Sequence, residues 1–111
     1  MHYKDITAII TSFKSENKIL NCLNSLGKDI KIIVIENSND KNLKRKLEKE
    51  FPNLKCILSD KNLGYAKGFN LALKHTNNDF ILTLTPDVII DNKLISRLEK
   101  FLKKILVIGE V

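Results

Sequence analysis

The sequence predicts an α/β fold, with a mostly parallel sheet covered by helices on both faces. Short runs rich in Ile and Val alternate along the chain with segments of helical spacing. The runs are mostly apolar without strict alternation, as in IKIIVI, whereas a strand with one solvated face would alternate polar and apolar residues. The 111 residues are 43% hydrophobic and contain no linker or internal repeat, so one domain over residues 1–111 is expected.

Four apolar runs have the length of a buried strand, and they span residues 6–11, 30–35, 54–58 and 80–84. A fifth run at 105–111 has the pattern of another strand, and the given sequence ends within it. Parallel neighbours need a crossover connection, which a helix usually supplies. The expected element order is therefore β-α-β-α-β-α-β-α-β.

Four segments between and after these runs carry apolar residues at helical spacing. Asp91 or Asn92 is placed to cap the fourth segment. The apolar sets are Ile19, Leu20, Leu23 and Leu26 in the first; Leu43, Leu47 and Phe51 in the second; Tyr65, Ala66, Phe69, Ala72 and Leu73 in the third; and Leu94, Ile95, Leu98, Phe101 and Leu102 in the fourth.

The net charge of +6 does not by itself predict a nucleic-acid partner. All but two of the nineteen basic residues are Lys, whereas phosphate and base recognition relies on Arg forks. We expect no nucleic-acid binding, and contact with anionic lipid headgroups stays open. One basic cluster is interpreted as a solvated helix face, with an anion-binding patch as the alternative: Lys41, Lys44, Arg45, Lys46 and Lys49.

Cys22 and Cys56 have no His or second Cys at a metal-ligand spacing. Two reduced, packed thiols are expected, and a disulfide or a metal role is the alternative. No apolar run reaches the roughly 18 residues that a membrane span needs, and the first residues lack the pattern of a secretory signal. The expected location is the cytoplasm, with the inner membrane surface left open.

Mostly polar residues follow each predicted strand. Ligands of open parallel sheets bind beyond the carboxyl ends of the strands, so these residues are expected to meet at one edge. The alternative for each is a helix cap or a turn. They are Thr11, Ser12 and Phe13 after the first strand, Glu36, Asn37, Ser38, Asn39 and Asp40 after the second, residues 59–64 after the third, and Thr85, Pro86 and Asp87 after the fourth.

The chain contains neither a GxxxxGK[ST] loop nor a GxGxxG fingerprint, so a glycine-cradled ATP or dinucleotide is not expected. The charge of a diphosphate at this edge would instead be met by a divalent cation that a carboxylate holds. Asp87 is the best candidate for that carboxylate, because Pro86 restricts the turn before it. A turn aspartate without a ligand is the alternative.

Three segments contain motifs that resemble those of the family 2 glycosyltransferases, especially the rhamnosyltransferase-like branch. They are ITAIITSFKSENKILNCLNSL, IIVIENSNDKN and NLGYAKGFNLALKHTNNDFILTLTPDVII, and the matches run from residue 6 to about residue 98. The resemblance implies a Rossmann-like nucleotide-diphospho-sugar transferase fold. It also implies inverting transfer of a sugar from a UDP or dTDP type donor to a saccharide or lipid-linked acceptor, in cell-surface polysaccharide synthesis.

The resemblance implies roles for individual residues. The turn after the first strand and the acidic residue after the second would hold the nucleoside, with the third loop beside it. Asp87 matches the last carboxylate of the metal-binding motif and would hold Mg²⁺ or Mn²⁺ against the two phosphates. The implied nucleotide-sugar-binding residues are Thr11, Ser12, Phe13, Glu36, Asn37, Asn62, Gly64 and Asn70.

The chain departs from the family pattern at three points. Glu36 stands where Asp is usual, and Thr85 stands where Asn or Asp is usual, which leaves the metal one protein carboxylate. No residue matches the family's general base, which is expected beyond the chain end, so no catalytic residue is assigned. We therefore expect a truncated donor-binding half with doubtful activity alone, and a homodimer stays open. The alternative is a non-catalytic α/β interaction module.

Overall fold

The computed structural model describes residues 5–91, 93 and 97. The predicted order of seven elements is confirmed, whereas the expected fourth helix and the strand at 105–111 lie outside the described residues, except that the Arg97 N–H donates to the Lys93 carbonyl. The seven elements are β1 (Ile6–Ser12), α1 (Glu16–Leu26), β2 (Lys31–Glu36), α2 (Lys41–Glu50), β3 (Leu54–Leu58), α3 (Gly64–Leu73) and β4 (Phe80–Leu84).

The four strands form one parallel sheet, as the sequence predicts, and their order across the sheet is β3-β2-β1-β4. Ser12 pairs with Glu36, and Glu36 pairs in turn with Leu58. On the other side of β1, Ile10 pairs with Leu84. This register brings the carboxyl ends of all four strands to one edge. We call this edge, with the loops 13–15, 37–40, 59–63 and 85–87, the carboxyl edge.

Helices cover both faces because the direction of strand addition reverses after β3. Right-handed crossovers from β1 to β2 and from β2 to β3 place α1 and α2 on the same face. The next crossover returns past β2 and β1 to reach β4, so α3 lies on the opposite face. β1 therefore has β2 on one side and β4 on the other, and the crevice between the ends of β1 and β4 is the topological switch point.

Successive side chains of β1 enter two separate cores. Ala8 and Ile10 pack against α1 and α2, whereas Ile9 packs against α3. Each fully buried Ile or Leu side chain contributes about 1.5–3 kcal/mol, so the two cores account for much of the stability. The helices supply Ile19, Cys22, Leu23, Leu26, Leu43 and Leu47 to the first core, and Phe69 and Ala72 to the second.

Some element ends differ from the predicted ones by one residue. β1 and β2 continue to Ser12 and Glu36, because the backbones keep pairing after the side chains become polar. β2 begins at Lys31 rather than residue 30. α2 ends at Glu50, and Phe51 is its C-cap, with its N–H donating to the carbonyl of residue 47.

Both cysteines are free and buried. Burial raises the pKa of Cys22 to about 11 and that of Cys56 to about 12. Both thiols are therefore protonated at neutral pH, and a protonated thiol is a poor nucleophile. In the part of the chain that the structure describes, no helix is both long enough and apolar enough to cross a membrane.

The basic cluster of α2 is largely a solvated helix face, as interpreted from the sequence. Lys44 is the exception, because its Nζ donates to the Cys56 carbonyl and lies 3.1 Å from Glu48 Oε2. That carboxylate also accepts a hydrogen bond from the Cys56 N–H, so the pair ties α2 to β3. The exposed members of the cluster are Lys41, Arg45, Lys46 and Lys49.

Gly68 allows α3 to approach the sheet closely beside the carboxyl edge. A Cβ atom at this position would lie 3.0 Å from Thr11 Cγ2 and 3.5 Å from Ile35 Cγ2. Both of those atoms belong to strands, so they have little freedom to move. The glycine thus sets the distance between α3 and the ends of β1 and β2.

Replacing Gly68 by Val is expected to lower the free energy of unfolding by about 1–3 kcal/mol, the usual cost of overpacking. The added side chain must push α3 away from β1, as urea unfolding followed by circular dichroism will show. Ala66→Val is the matched control, since Ala66 is exposed on the same helix. Equal losses for the two variants would contradict the close approach at Gly68.

Candidate functional site

Hydrogen bonds join the ends of β1 and β2 with the loops 37–40 and 59–63 at the carboxyl edge. The Asn37 N–H donates to the Ser12 carbonyl at 2.7 Å, and the Ser59 N–H donates to the Glu36 carbonyl at 3.0 Å. The Leu63 N–H lies 3.5 Å from Asn37 Oδ1, at the limit of a hydrogen bond. Asn37 itself is buried. It therefore connects the ends of β1 and β2 with the loop after β3.

Glu36 is fully buried, and its carboxylate holds the loop between β2 and α2. Oε1 accepts from the Ser38 hydroxyl at 2.6 Å. Oε2 accepts from the backbone N–H groups of Ser38 at 3.1 Å and Asp40 at 2.8 Å. In this structure the side chain thus points into its own loop rather than into solvent. Asp40 in turn caps α2 by accepting from the Leu43 N–H.

Thr11 and Ser12 leave the end of β1 on opposite faces of the sheet. The Thr11 methyl group lies toward α3 and Gly68, whereas Ser12 has the same parity as Ile10 and lies toward α1. Ser12 is 1% exposed, and its Oγ has no hydrogen-bond partner among the described residues. An unpaired buried hydroxyl costs about 1–3 kcal/mol. A ligand or a water molecule would remove that cost.

The next residue, Phe13, is an exposed aromatic at the carboxyl edge. The residue is 45% exposed, and Lys14 Nζ lies 5.3 Å from the ring centroid. This ring offers an open face on which a planar base can stack. Of the predicted site residues at the end of β1, Phe13 therefore has the side chain that is most available to an incoming ligand.

Asn62 and Gly64 form the turn that begins α3. The Gly64 N–H donates to Asn62 Oδ1 at 2.9 Å, and Gly64 has a φ of 75°. A Cβ at Gly64 would meet nothing within 4 Å. Glycine is thus needed here for its left-handed conformation, and not for a close approach. Asn62 is exposed and turned toward its own loop.

Asn70 is the predicted site residue that lies farthest along α3. It is exposed on α3, six residues after Gly64, which corresponds to about 9 Å along the helix axis. Two residues earlier on the same helix, a Cβ at Gly68 would lie 3.0 Å from Thr11 Cγ2 and 3.6 Å from Asn37 Nδ2, so this part of α3 still runs beside the ends of β1 and β2. The structure brings together the remaining predicted residues at this edge, whether their side chains face solvent or the interior.

Asp87 is exposed in the loop after β4, beside the switch point. Its Oδ1 accepts a hydrogen bond of 2.6 Å from the Thr85 hydroxyl. This bond, together with the backbone N–H of Asp87 and the charge of Lys18, holds the pKa of Asp87 below its usual range. The carboxylate is therefore ionised at neutral pH and accessible from solvent.

Helix α1 holds the Asp87 loop against the sheet at two points, neither of which the sequence analysis identified. The Ser25 hydroxyl accepts from the Ile90 N–H at 2.9 Å and donates to the Cys22 carbonyl at 2.6 Å. One turn earlier, Cys22 Sγ lies 3.9 Å from the Thr85 carbonyl. A serine on the inner side of a helix carries no signal of this role without the fold.

A cleft of about 300 Å³ opens between the first turns of α1 and α2. It lies at the part of the carboxyl edge formed by the loops 13–15 and 37–40, on the α1 and α2 side of the sheet. Ser38 and Asp40, which the sequence predicts at this edge, line the cleft, whereas none of the implied nucleotide-sugar-binding residues does. Its lining residues are Lys14, Ser15, Glu16, Asn17, Ser38, Asp40 and Leu43.

The described residues fit a cation that is coordinated jointly by the protein and a bound ligand, and not a cation coordinated by protein groups alone. In the described ranges, no group of three His, Cys, Asp or Glu side chains is placed to hold a metal ion. Asp87 offers an exposed, ionised carboxylate at the edge where a ligand would bind. Mg²⁺ is commonly held by one or two carboxylates together with substrate phosphates and water, and Asp87 suffices for that arrangement.

The family model of glycosyl transferase family 2 matches residues 7–110 of the chain. Two solved structures of S. aureus TarS are 27% and 26% identical to the chain, with TM-scores of 0.76 and 0.75. Each match covers 89% of this chain, but only 32% of TarS 1-349 and 19% of the longer TarS chain. A search of curated protein sequences found no match.

A mannosyltransferase from Pyrobaculum calidifontis, PcManGT, has the same fold. Its structure in complex with GDP-Man and Mn²⁺ matches with a TM-score of 0.78 at 15% identity, over 92% of this chain and 33% of that chain. The chain thus spans a third or less of the length of these structural relatives.

Proposed function

We propose that this chain, which belongs to glycosyl transferase family 2, binds a nucleoside diphosphate sugar at its carboxyl edge as the donor of an inverting glycosyl transfer. The observation that carries the proposal is the meeting of four loops there, with the exposed carboxylate of Asp87 beside the switch point. Open parallel sheets bind ligands at such a crevice. The donor and cation bound to the Pyrobaculum calidifontis enzyme support ligands of this class.

The nucleoside part of the donor would lie over the ends of β1 and β2. Phe13 offers a ring for stacking on the base, and the unpaired Ser12 hydroxyl can pair with a polar group of the ligand. Asn62 and Gly64 shape the loop on the far side. Glu36 would act mainly by holding its own loop in place, because all of the described hydrogen bonds of its carboxylate stay within that loop.

The diphosphate would lie toward β4, where Asp87 can hold Mg²⁺ or Mn²⁺ against it. When bound, such a cation neutralises the charge that develops on the leaving diphosphate. The positive charge of Lys18 on α1 also lowers the pKa of Asp87, and the same charge would favour an anion bound there. Ser25 and Cys22 of α1 keep the Asp87 loop in position through their contacts with the Ile90 N–H and the Thr85 carbonyl.

In an inverting transfer, an acceptor hydroxyl oxygen attacks the anomeric carbon from the side opposite the diphosphate. The new carbon–oxygen bond forms as the bond to the phosphate oxygen breaks, and a general base takes the hydroxyl proton. No described residue is assigned as that base. We infer a saccharide or lipid-linked acceptor and a cytoplasmic role in cell-surface polysaccharide synthesis, where the net charge of +6 favours contact with anionic membrane lipid.

Isothermal titration calorimetry of the full chain with UDP, dTDP and GDP, each with and without Mn²⁺, tests the proposal. At least one nucleotide is expected to bind, more tightly when Mn²⁺ is present. ATP is the matched control, because the chain lacks a glycine-rich phosphate loop. Absence of binding by all three diphosphates would refute donor binding and favour a non-catalytic interaction module.

A further inference from the structure

We propose that Thr85 is a positioning residue for Asp87, and that it makes cation binding by this chain depend on the diphosphate. The inference rests on the proposed donor-binding function. The Thr85 hydroxyl donates to Asp87 Oδ1 at 2.6 Å and so restricts rotation of the carboxylate. Among the described residues, Thr85 is the one side chain that hydrogen-bonds this carboxylate.

The backbone of Thr85 is itself held, so its hydroxyl is a fixed donor. The Thr85 carbonyl accepts from the Val88 N–H at 3.2 Å, which closes a turn around Pro86 and Asp87. Cys22 Sγ also lies 3.9 Å from the same carbonyl, at the inner face of α1. These contacts hold the turn that carries Asp87, and the hydrogen bond from the Thr85 hydroxyl orients its carboxylate.

Thr85 also limits how tightly the site can bind a cation when no diphosphate is present. A hydroxyl hydrogen bond occupies part of the capacity of Oδ1, and Thr85 adds no second negative charge. Mg²⁺ and Mn²⁺ favour about six oxygen ligands, and Asp87 supplies a single carboxylate. The other ligands must be water and diphosphate oxygens. The cation is therefore expected to bind with the diphosphate rather than before it.

The test measures Mn²⁺ binding by electron paramagnetic resonance and UDP binding by calorimetry, for the full chain and its variants. The unsubstituted chain should bind Mn²⁺ weakly alone and much more tightly with UDP. Thr85→Val should reduce the Mn²⁺-dependent gain in UDP affinity about 10-fold or more, as loss of a residue that orients a metal ligand usually does. UDP binding without Mn²⁺ should stay the same.

Thr85→Asp should have a different effect, because a second carboxylate two residues from Asp87 creates a cation site of its own. This variant is expected to bind Mn²⁺ in the absence of UDP. Thr83→Val, two residues earlier in β4, is the matched control, and it should leave the Mn²⁺ dependence unchanged. Circular dichroism should confirm that all three variants fold, since both threonines are exposed.

Two outcomes would overturn the positioning role while leaving donor binding intact. One is a Thr85→Val variant whose Mn²⁺-dependent gain equals that of the unsubstituted chain. The other is tight Mn²⁺ binding by the unsubstituted chain without UDP. Absence of UDP binding under every condition would instead overturn both this inference and the binding of a uridine-type donor.

Discussion

Replacing Asp87 by Asn is expected to abolish the Mn²⁺-dependent part of nucleotide binding while leaving the fold intact. Asn keeps a carbonyl oxygen that the Thr85 hydroxyl can reach, but it removes the charge that would hold the cation. UDP affinity in the presence of Mn²⁺ should fall to the value without Mn²⁺. We expect a loss of about tenfold or more, equivalent to about 1.4 kcal/mol or more. Calorimetry with and without Mn²⁺ measures it.

Asp91→Asn is the matched control for this change. Asp91 is also exposed and lies in the same segment, but its Oδ1 accepts from the Lys93 N–H. Loss of the Asp91 carboxylate should leave the Mn²⁺ dependence of nucleotide binding unchanged. If Asp91→Asn and not Asp87→Asn removes the dependence, the cation has been assigned to the wrong carboxylate.

Replacing Glu36 by Ala is expected to lower the free energy of unfolding by about 3 kcal/mol. The change removes a buried carboxylate and leaves the N–H groups of Ser38 and Asp40 without their acceptor. Hydrogen bonds to charged groups contribute about 1.5–3 kcal/mol each, and a buried unpaired donor costs a similar amount. Solvent entering the opened loop will offset part of the loss. Urea unfolding measures the difference.

Two variants sharpen this prediction. Glu50→Ala removes an exposed carboxylate from the end of α2, and it should change the free energy of unfolding by less than about 0.5 kcal/mol. Glu36→Asp shortens the arm by one methylene and should fall between the two. Equal effects of Glu36→Ala and Glu50→Ala would show that the Glu36 carboxylate does not hold its loop.

The order of the elements and the parallel sheet followed from the sequence because burial on both faces leaves a clear pattern. Runs such as IKIIVI have no polar face, and each is separated from the next by helical spacing. The exact ends of β1 and β2 were less predictable. Ser12 and Glu36 are polar, and only their backbone pairing with neighbouring strands keeps them within the sheet.

The edge at which the candidate site lies was also predictable, since parallel strands bring their carboxyl ends together. The orientation of each side chain was not. Whether Glu36 meets a ligand or its own loop depends on the positions of the Ser38 and Asp40 N–H groups in space. The close approach at Gly68 and the support from Ser25 depend likewise on contacts between distant segments.

The position of β1 between β2 and β4 has a consequence during translation. β1, β2 and β3 emerge from the ribosome in order and can assemble with α1 and α2. The edge of β1 opposite β2 stays unpaired until β4 has been synthesised. Ile6 pairs with Phe80, and contacts between such distant residues slow folding. For the seconds that synthesis of β4 requires, the nascent chain presents the open backbone of an isoleucine-rich strand. A chaperone that recognises extended apolar segments would bind there first.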